Sequence, residues 1–135
     1  MNVRTVAGIV ISIVGLLLLV FAALDFNTLF FVQKMLTRSD IPMYNRQVVL
    51  PALLGLLILL DGSFVLGLKQ TFSLSLHLLG NFVWLYALYS LNQNLAVPIT
   101  DIDAYRQVFY MVFVGIIFFV IGIIANDIPQ QKKPS

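Results

Sequence analysis

The sequence predicts an all-α integral membrane protein with four transmembrane helices in an up-down-up-down bundle, and three observations lead there. Its 135 residues are 60% hydrophobic and only 10% charged, and the mean hydropathy is +0.97, well outside the range of a soluble domain. The apolar residues gather into four runs: Val6 to Leu24, Val48 to Leu68, Phe72 to Leu91, and Val108 to Ala125. Each run is close to the roughly 20 helical residues that cross a bilayer core about 30 Å thick. Barrel strands would be half as long and would alternate in polarity, a pattern absent here. Residues 1–128 are therefore read as one transmembrane domain, and 129–135 as a polar C-terminal tail.

The first run follows Arg4 and ends near Ala22 and Ala23, which superficially resembles a secretory signal, but its apolar stretch is too long. We read it as an uncleaved helix. Phe26, Leu29, Phe30 and Leu36 keep roughly helical spacing beyond it, so the helix is expected to continue past the membrane surface or along it. Ser39-Asp40-Ile41-Pro42 has the signature of a helix start, with a capping side chain before a proline in the first turn. The second helix should thus begin before its apolar part and bend near Pro51.

Only Lys69-Gln70-Thr71 separates the second run from the third, so a tight antiparallel hairpin is expected between helices 2 and 3. The stretch from Asn92 to Tyr105 carries the turn formers and acids of an aqueous loop. Gly8, Ser12, Gly62, Gly67, Gly115 and Gly122 are small residues at helix-packing intervals. Aromatic residues including Phe26, Phe30, Phe31, Tyr44, Tyr86, Tyr89, Tyr105, Phe109 and Tyr110 concentrate towards the helix ends that face the longer loops, as an interfacial belt does.

Orientation is weakly encoded. With the N-terminus inside, Arg4, Lys69, Lys132 and Lys133 fall on the inner side and Lys34, Arg38, Arg46 and Arg106 on the outer, a tie under the positive-inside rule. The short hairpin turn and basic tail on one side favour cytoplasmic termini. The expected location is a prokaryotic cell membrane.

One carboxylate stands inside an apolar span, in the stretch LLDGSF. Placing Asp61 at the centre of a helix costs about 2.5 to 3.5 kcal/mol, whereas each Leu, Ile, Phe or Val contributes roughly 0.3 to 0.6 in favour of insertion. The helix inserts regardless, but an unpaired carboxylate at membrane depth needs a partner or a wet cavity. His77 lies about as far from the hairpin turn as Asp61 does, and Ser73, His77 and Asn81 recur at intervals of four, along one stripe continued by Trp84. The expectation is one intramembrane polar cluster of Asp61, His77, Asn81 and Ser73, either fixing hairpin register or binding a proton or cation. Gly62 and Ser63 should let helix 3 approach closely. Asp25, Asn27, Asn126 and Asp127 are read as solvated boundary residues.

With no cysteine, disulfides, thiolate metal sites and cysteine nucleophiles are excluded, and the single histidine excludes bis-histidine haem. No metal or other cofactor is expected, since one His, one Asp and one Asn make a thin ligand set. The net charge of +2 is dispersed, which argues against a nucleic-acid partner. No catalytic signature is present: no nucleophile with a base, no glycine-rich phosphate loop, no paired acids. Four helices enclose too little volume for a translocation path with gates. The expected partners are the lipid bilayer and other membrane subunits, and the leading reading is an accessory or assembly subunit of a larger complex. The alternative is a small homo-oligomeric proton- or ion-coupled transporter or channel using Asp61 and His77.

Overall fold

A computed structural model describes residues 2–93 and 105–128. Four helices in it are long and apolar enough to cross a membrane: α1 (Val3–Val32), α2 (Arg38–Leu66), α3 (Thr71–Gln93) and α4 (Arg106–Asp127). No strand occurs among the described residues. Most of the expected aqueous loop (94–104) and the polar tail (129–135) lie outside them.

α1 starts at Asn2, whose side chain accepts from the Thr5 backbone N–H at 2.8 Å, and it does continue beyond its apolar run. Its last turn widens at Thr28–Val32, where Gln33 N–H donates to Thr28 O, five residues back. Lys34 then takes a left-handed conformation (φ 51°), and Met35 N–H reaches back to Leu29 O at 2.9 Å. That long backward bond is the usual way of closing a helix C-terminus, more often achieved with glycine. α2 begins slightly earlier than Ser39: Thr37 donates its backbone N–H and its hydroxyl to Asp40 Oδ2, at 3.0 and 2.7 Å. The Tyr44 hydroxyl donates to Met35 O at 2.7 Å, tying this short return onto the α1 end, where Phe26 and Phe30 stack at 5.4 Å. Ahead of Pro51, which has no N–H to donate, α2 also widens: Leu50 N–H bonds to Asn45 O. Where the sequence predicts a bend at the proline, the helix has a wide turn over Asn45–Val49 just before it.

The helices zip in pairs through glycine. Between α1 and α2, a Cβ added at Gly15 would stand 2.5 Å from Leu59 N, and one at Gly55 would stand 2.9 Å from Gly15 O. Gly8 meets Leu66 and Gly62 in the same seam, so the two chains run in opposite directions there. Between α3 and α4, a Cβ at Gly80 would lie 2.6 Å from the Phe119 ring and 3.0 Å from Gly115 O. Gly122 meets Ser73 and His77, again with opposed chain directions. Without side-chain bulk the backbones touch, which is how helices gain contact in a medium as apolar as their own side chains.

Gly62 departs from expectation. It serves α1, with an added Cβ 2.6 Å from Ser12 N, and it does not bring α3 closer. The cause is angular. Adjacent residues on a helix point about 100° apart, so once Asp61 faces α3 its neighbour must face elsewhere. Gly67 is also no packing glycine; it caps the end of α2, and a Cβ added there would approach only the Ser63 and Phe64 carbonyls of its own preceding turn, at 3.9 Å.

Replacing Gly15 by valine should separate α1 from α2 and cost about 1 to 3 kcal/mol by overpacking, read as loss of thermal stability in detergent. Gly67→Ala should leave the midpoint unchanged. Equal tolerance of both substitutions would show that the α1–α2 seam is not backbone-tight.

Candidate functional site

Asp61, on α2, faces α3. Its Oδ1 lies 2.6 Å from His77 Nε2 and accepts from Asn81 Nδ2 at 2.7 Å, while Asn81 Nδ2 also contacts His77 O at 3.0 Å. The spacing of four places His77 and Asn81 on one face, so both reach the same oxygen. Asn81 can only donate through Nδ2, and an ionised carboxylate can only accept; with Asp61 ionised, the proton lies on Nε2 and His77 donates it. His77 is 5% exposed. The Phe64 ring lies parallel to the imidazole at 4.1 Å, with an interplanar angle of 2°, and Phe119 covers it at 4.7 Å. His77 Nδ1 is buried with no hydrogen-bond partner.

Three of the four predicted residues thus meet, and Ser73 does not join them. Its hydroxyl contacts Gln70 O at 2.6 Å and Asn126 Oδ1 at 3.0 Å, forming part of a second network at the end of α3. The stripe holds, but Ser73 is one turn nearer the hairpin than His77, and there the facing helix is α4.

Asn126 is the residue that sequence reasoning placed in solvent. It is 7% exposed. Its Oδ1 accepts from Lys69 N at 2.7 Å, Gln70 N at 3.1 Å and the Ser73 hydroxyl, while its Nδ2 donates to Gly67 O at 2.7 Å. One amide therefore satisfies an orphan carbonyl at the end of α2 and free N–H groups at the start of α3, groups that helix termini always leave over. No local signal marks it, because the turn it serves is 56 or more residues away in sequence. Next to it, Asp127 pairs with Lys69 at 3.3 Å, both side chains largely exposed, and Gln70 Nε2 donates to Ile128 O. Asp25 and Asn27 are exposed, as expected.

On the other side of the Asp61–His77 contact, Leu57, Trp84, Leu88 and Phe119 form a buried apolar cluster. Trp84, the next residue of the stripe, is core. Towards the turn, a cavity of about 340 Å³ extends from His77 to Lys69 and Asp127. No group of three or more His, Cys, Asp or Glu side chains gathers among the described residues. Comparison of the chain with protein-family models, with curated proteins and with solved structures finds no match.

Asn126→Ala should remove four hydrogen bonds, each contributing about 0.5 to 1.5 kcal/mol, and lower stability by roughly 2 kcal/mol or more in a detergent unfolding assay. A neutral result would mean that water replaces the amide fully. For the intramembrane pair, a double-mutant cycle with Asp61→Leu and His77→Leu should show coupling of about 0.5 to 2 kcal/mol. Strict additivity would remove the pair as a register device.

Proposed function

We propose that this chain is a non-catalytic accessory or assembly subunit of a larger membrane protein complex. In this reading it crosses a prokaryotic cell membrane in an up-down-up-down course, with a tight hairpin between α2 and α3 and both termini in the cytoplasm. The observation that carries the proposal is the packed interior on the far side of the Asp61–His77 contact. Asp61 accepts from Asn81 and contacts His77 under the Phe64 and Phe119 rings, and the Leu57–Trp84–Leu88–Phe119 cluster fills the bundle beyond them. A bundle plugged by its own core conducts nothing by itself, and buried polar networks of this kind define helix register. Its large exposed side chains, such as Val10, Leu17 and Leu24 on α1 and Phe113, Ile117 and Ile124 on α4, are apolar. Such faces suit lipid or the helices of neighbouring subunits.

A second reading, the homo-oligomeric proton- or ion-coupled transporter, is favoured by the cavity that leads from the Lys69–Asp127 end of the bundle to His77. An aspartate and a histidine in contact at membrane depth form a group able to hold and release a proton.

Native-membrane purification of the tagged chain in mild detergent, followed by mass determination, separates the two. The subunit reading expects unrelated chains in fixed stoichiometry, retained when Asp61 is replaced by asparagine. A symmetric oligomer of this chain alone, with proton-coupled uptake in proteoliposomes that Asp61→Asn abolishes, would overturn it in favour of the transporter.

A further inference from the structure

The Asp61–Asn81 contact leaves two oxygens over. Asp61 Oδ1 takes both the His77 and the Asn81 contact, and Oδ2 accepts nothing among the described residues. Asn81 uses Nδ2 on Asp61 and on the His77 carbonyl, which fixes the orientation of the amide and leaves its Oδ1 free as well. Neither oxygen is sealed inside the bundle: the Asp61 side chain is 25% exposed, Asn81 is half-buried, and neither atom is among the fully buried groups that lack a partner. Both are acceptors wherever the proton across the 2.6 Å contact resides, because a proton on His77 Nε2 or on Asp61 Oδ1 leaves Oδ2 its lone pairs.

Depth restricts what can answer them. Asp61 stands about 12 Å along α2 from Lys69 and about 22 Å from Arg46, inside the apolar part of the span and away from the headgroups at either end. Lipid tails offer no donor there, and a carboxyl at such depth faces protein or a wet cavity. The cavity beside His77 is lined by neither residue. Leu50 and Leu54 share the face of Asp61 on α2, and Leu85 and Leu88 share that of Asn81 on α3. These four leucines line a groove of about 380 Å³ bordered by Leu18 of α1, whereas the His77 cavity is bordered by α4. The two free oxygens thus continue an apolar groove on the α1 flank of the α2–α3 seam.

We propose that this groove receives a transmembrane helix of another subunit, whose Asn, Gln, Lys or Arg side chain donates to Asp61 Oδ2 and Asn81 Oδ1. Two neighbouring acceptors call for a group with at least two N–H bonds, which an amide, an ammonium and a guanidinium have and a hydroxyl lacks. The leucines take the apolar face of the incoming helix, in the manner of a helix laid into a groove. Polar pairing holds it, because each side would otherwise keep an unpaired polar group in hydrocarbon. A lipid chain fits the leucines but carries no donor to this depth. The inference rests on the subunit reading and adds where a neighbour docks and what it carries.

The photo-reactive residue p-benzoylphenylalanine is placed at Leu85, which is 45% exposed in the groove, and separately at Phe113, 63% exposed on α4, in the full-length tagged chain in its native membrane. The Leu85 probe should give an adduct to one unrelated chain, on a membrane-spanning peptide with Lys, Arg, Asn or Gln within a helical turn, and the Phe113 probe should not give that adduct. Asp61→Leu should abolish it, with Asn81→Leu as a second variant should the first fail to fold. His77→Leu breaks the contact inside the chain but keeps both acceptors, so the adduct should survive it. An adduct to lipid alone, to a second copy of this chain or to a span without such a residue would overturn the proposal, as would loss of the adduct with His77→Leu. Unrelated chains that copurify while the Leu85 probe finds only lipid would sink the docking site and leave the subunit reading standing; absence of any unrelated chain would remove both.

Discussion

Backbone-to-backbone contact through glycine is the constraint from which the arrangement of this bundle follows. Inside a bilayer, apolar side chains gain little by leaving lipid for one another, so helices associate where their main chains can approach and dispersion contacts multiply. Gly15 and Gly55 allow this between α1 and α2, and Gly80 and Gly115 between α3 and α4. Two zipped pairs result. The seam between them, α2 against α3, is made of side chains: Asp61 on His77 and Asn81, Phe64 on the imidazole ring, and Leu57 packed with Trp84 and Leu88.

That division of labour explains where the polar groups lie. A helix has room for a glycine face and a polar face only if they point in different directions, and the neighbours Asp61 and Gly62 satisfy this by turning to α3 and α1 respectively. At the hairpin the same problem recurs with backbone groups. The Lys69 and Gln70 N–H groups and the Gly67 carbonyl are met by Asn126 from α4, and the Leu68 carbonyl by Arg4 from α1. The α2–α3 turn is thereby clasped to the far end of the chain, and Ser73 belongs to that clasp and not to the intramembrane pair.

The two sides of His77 differ in a way that bears on function. Beyond it lies packed hydrocarbon and an indole; towards the turn lies open volume. A plugged far side favours a structural subunit over a conduit. Both features come from the same ring, held flat between Phe64 and Phe119. Burial of a polar group is expensive enough that its partners define its role.

The sequence by itself determined the helices and the depth of their polar residues. Span length against bilayer thickness settled four helices, and equal distance from a short turn brought Asp61 to His77, because rise per residue is a property of the backbone alone. The helix extension past Asn27 was legible for the same reason, since it arises from local hydrogen bonding. Only the tertiary structure decided which faces meet. Azimuth around a nearly uniform apolar helix leaves almost no trace in composition, so Gly62 could be assigned to the wrong neighbour and Ser73 to the wrong network. Asn126 resembled any polar residue at a helix end, and its burial depended on a turn contributed by a distant part of the chain, which no local pattern encodes.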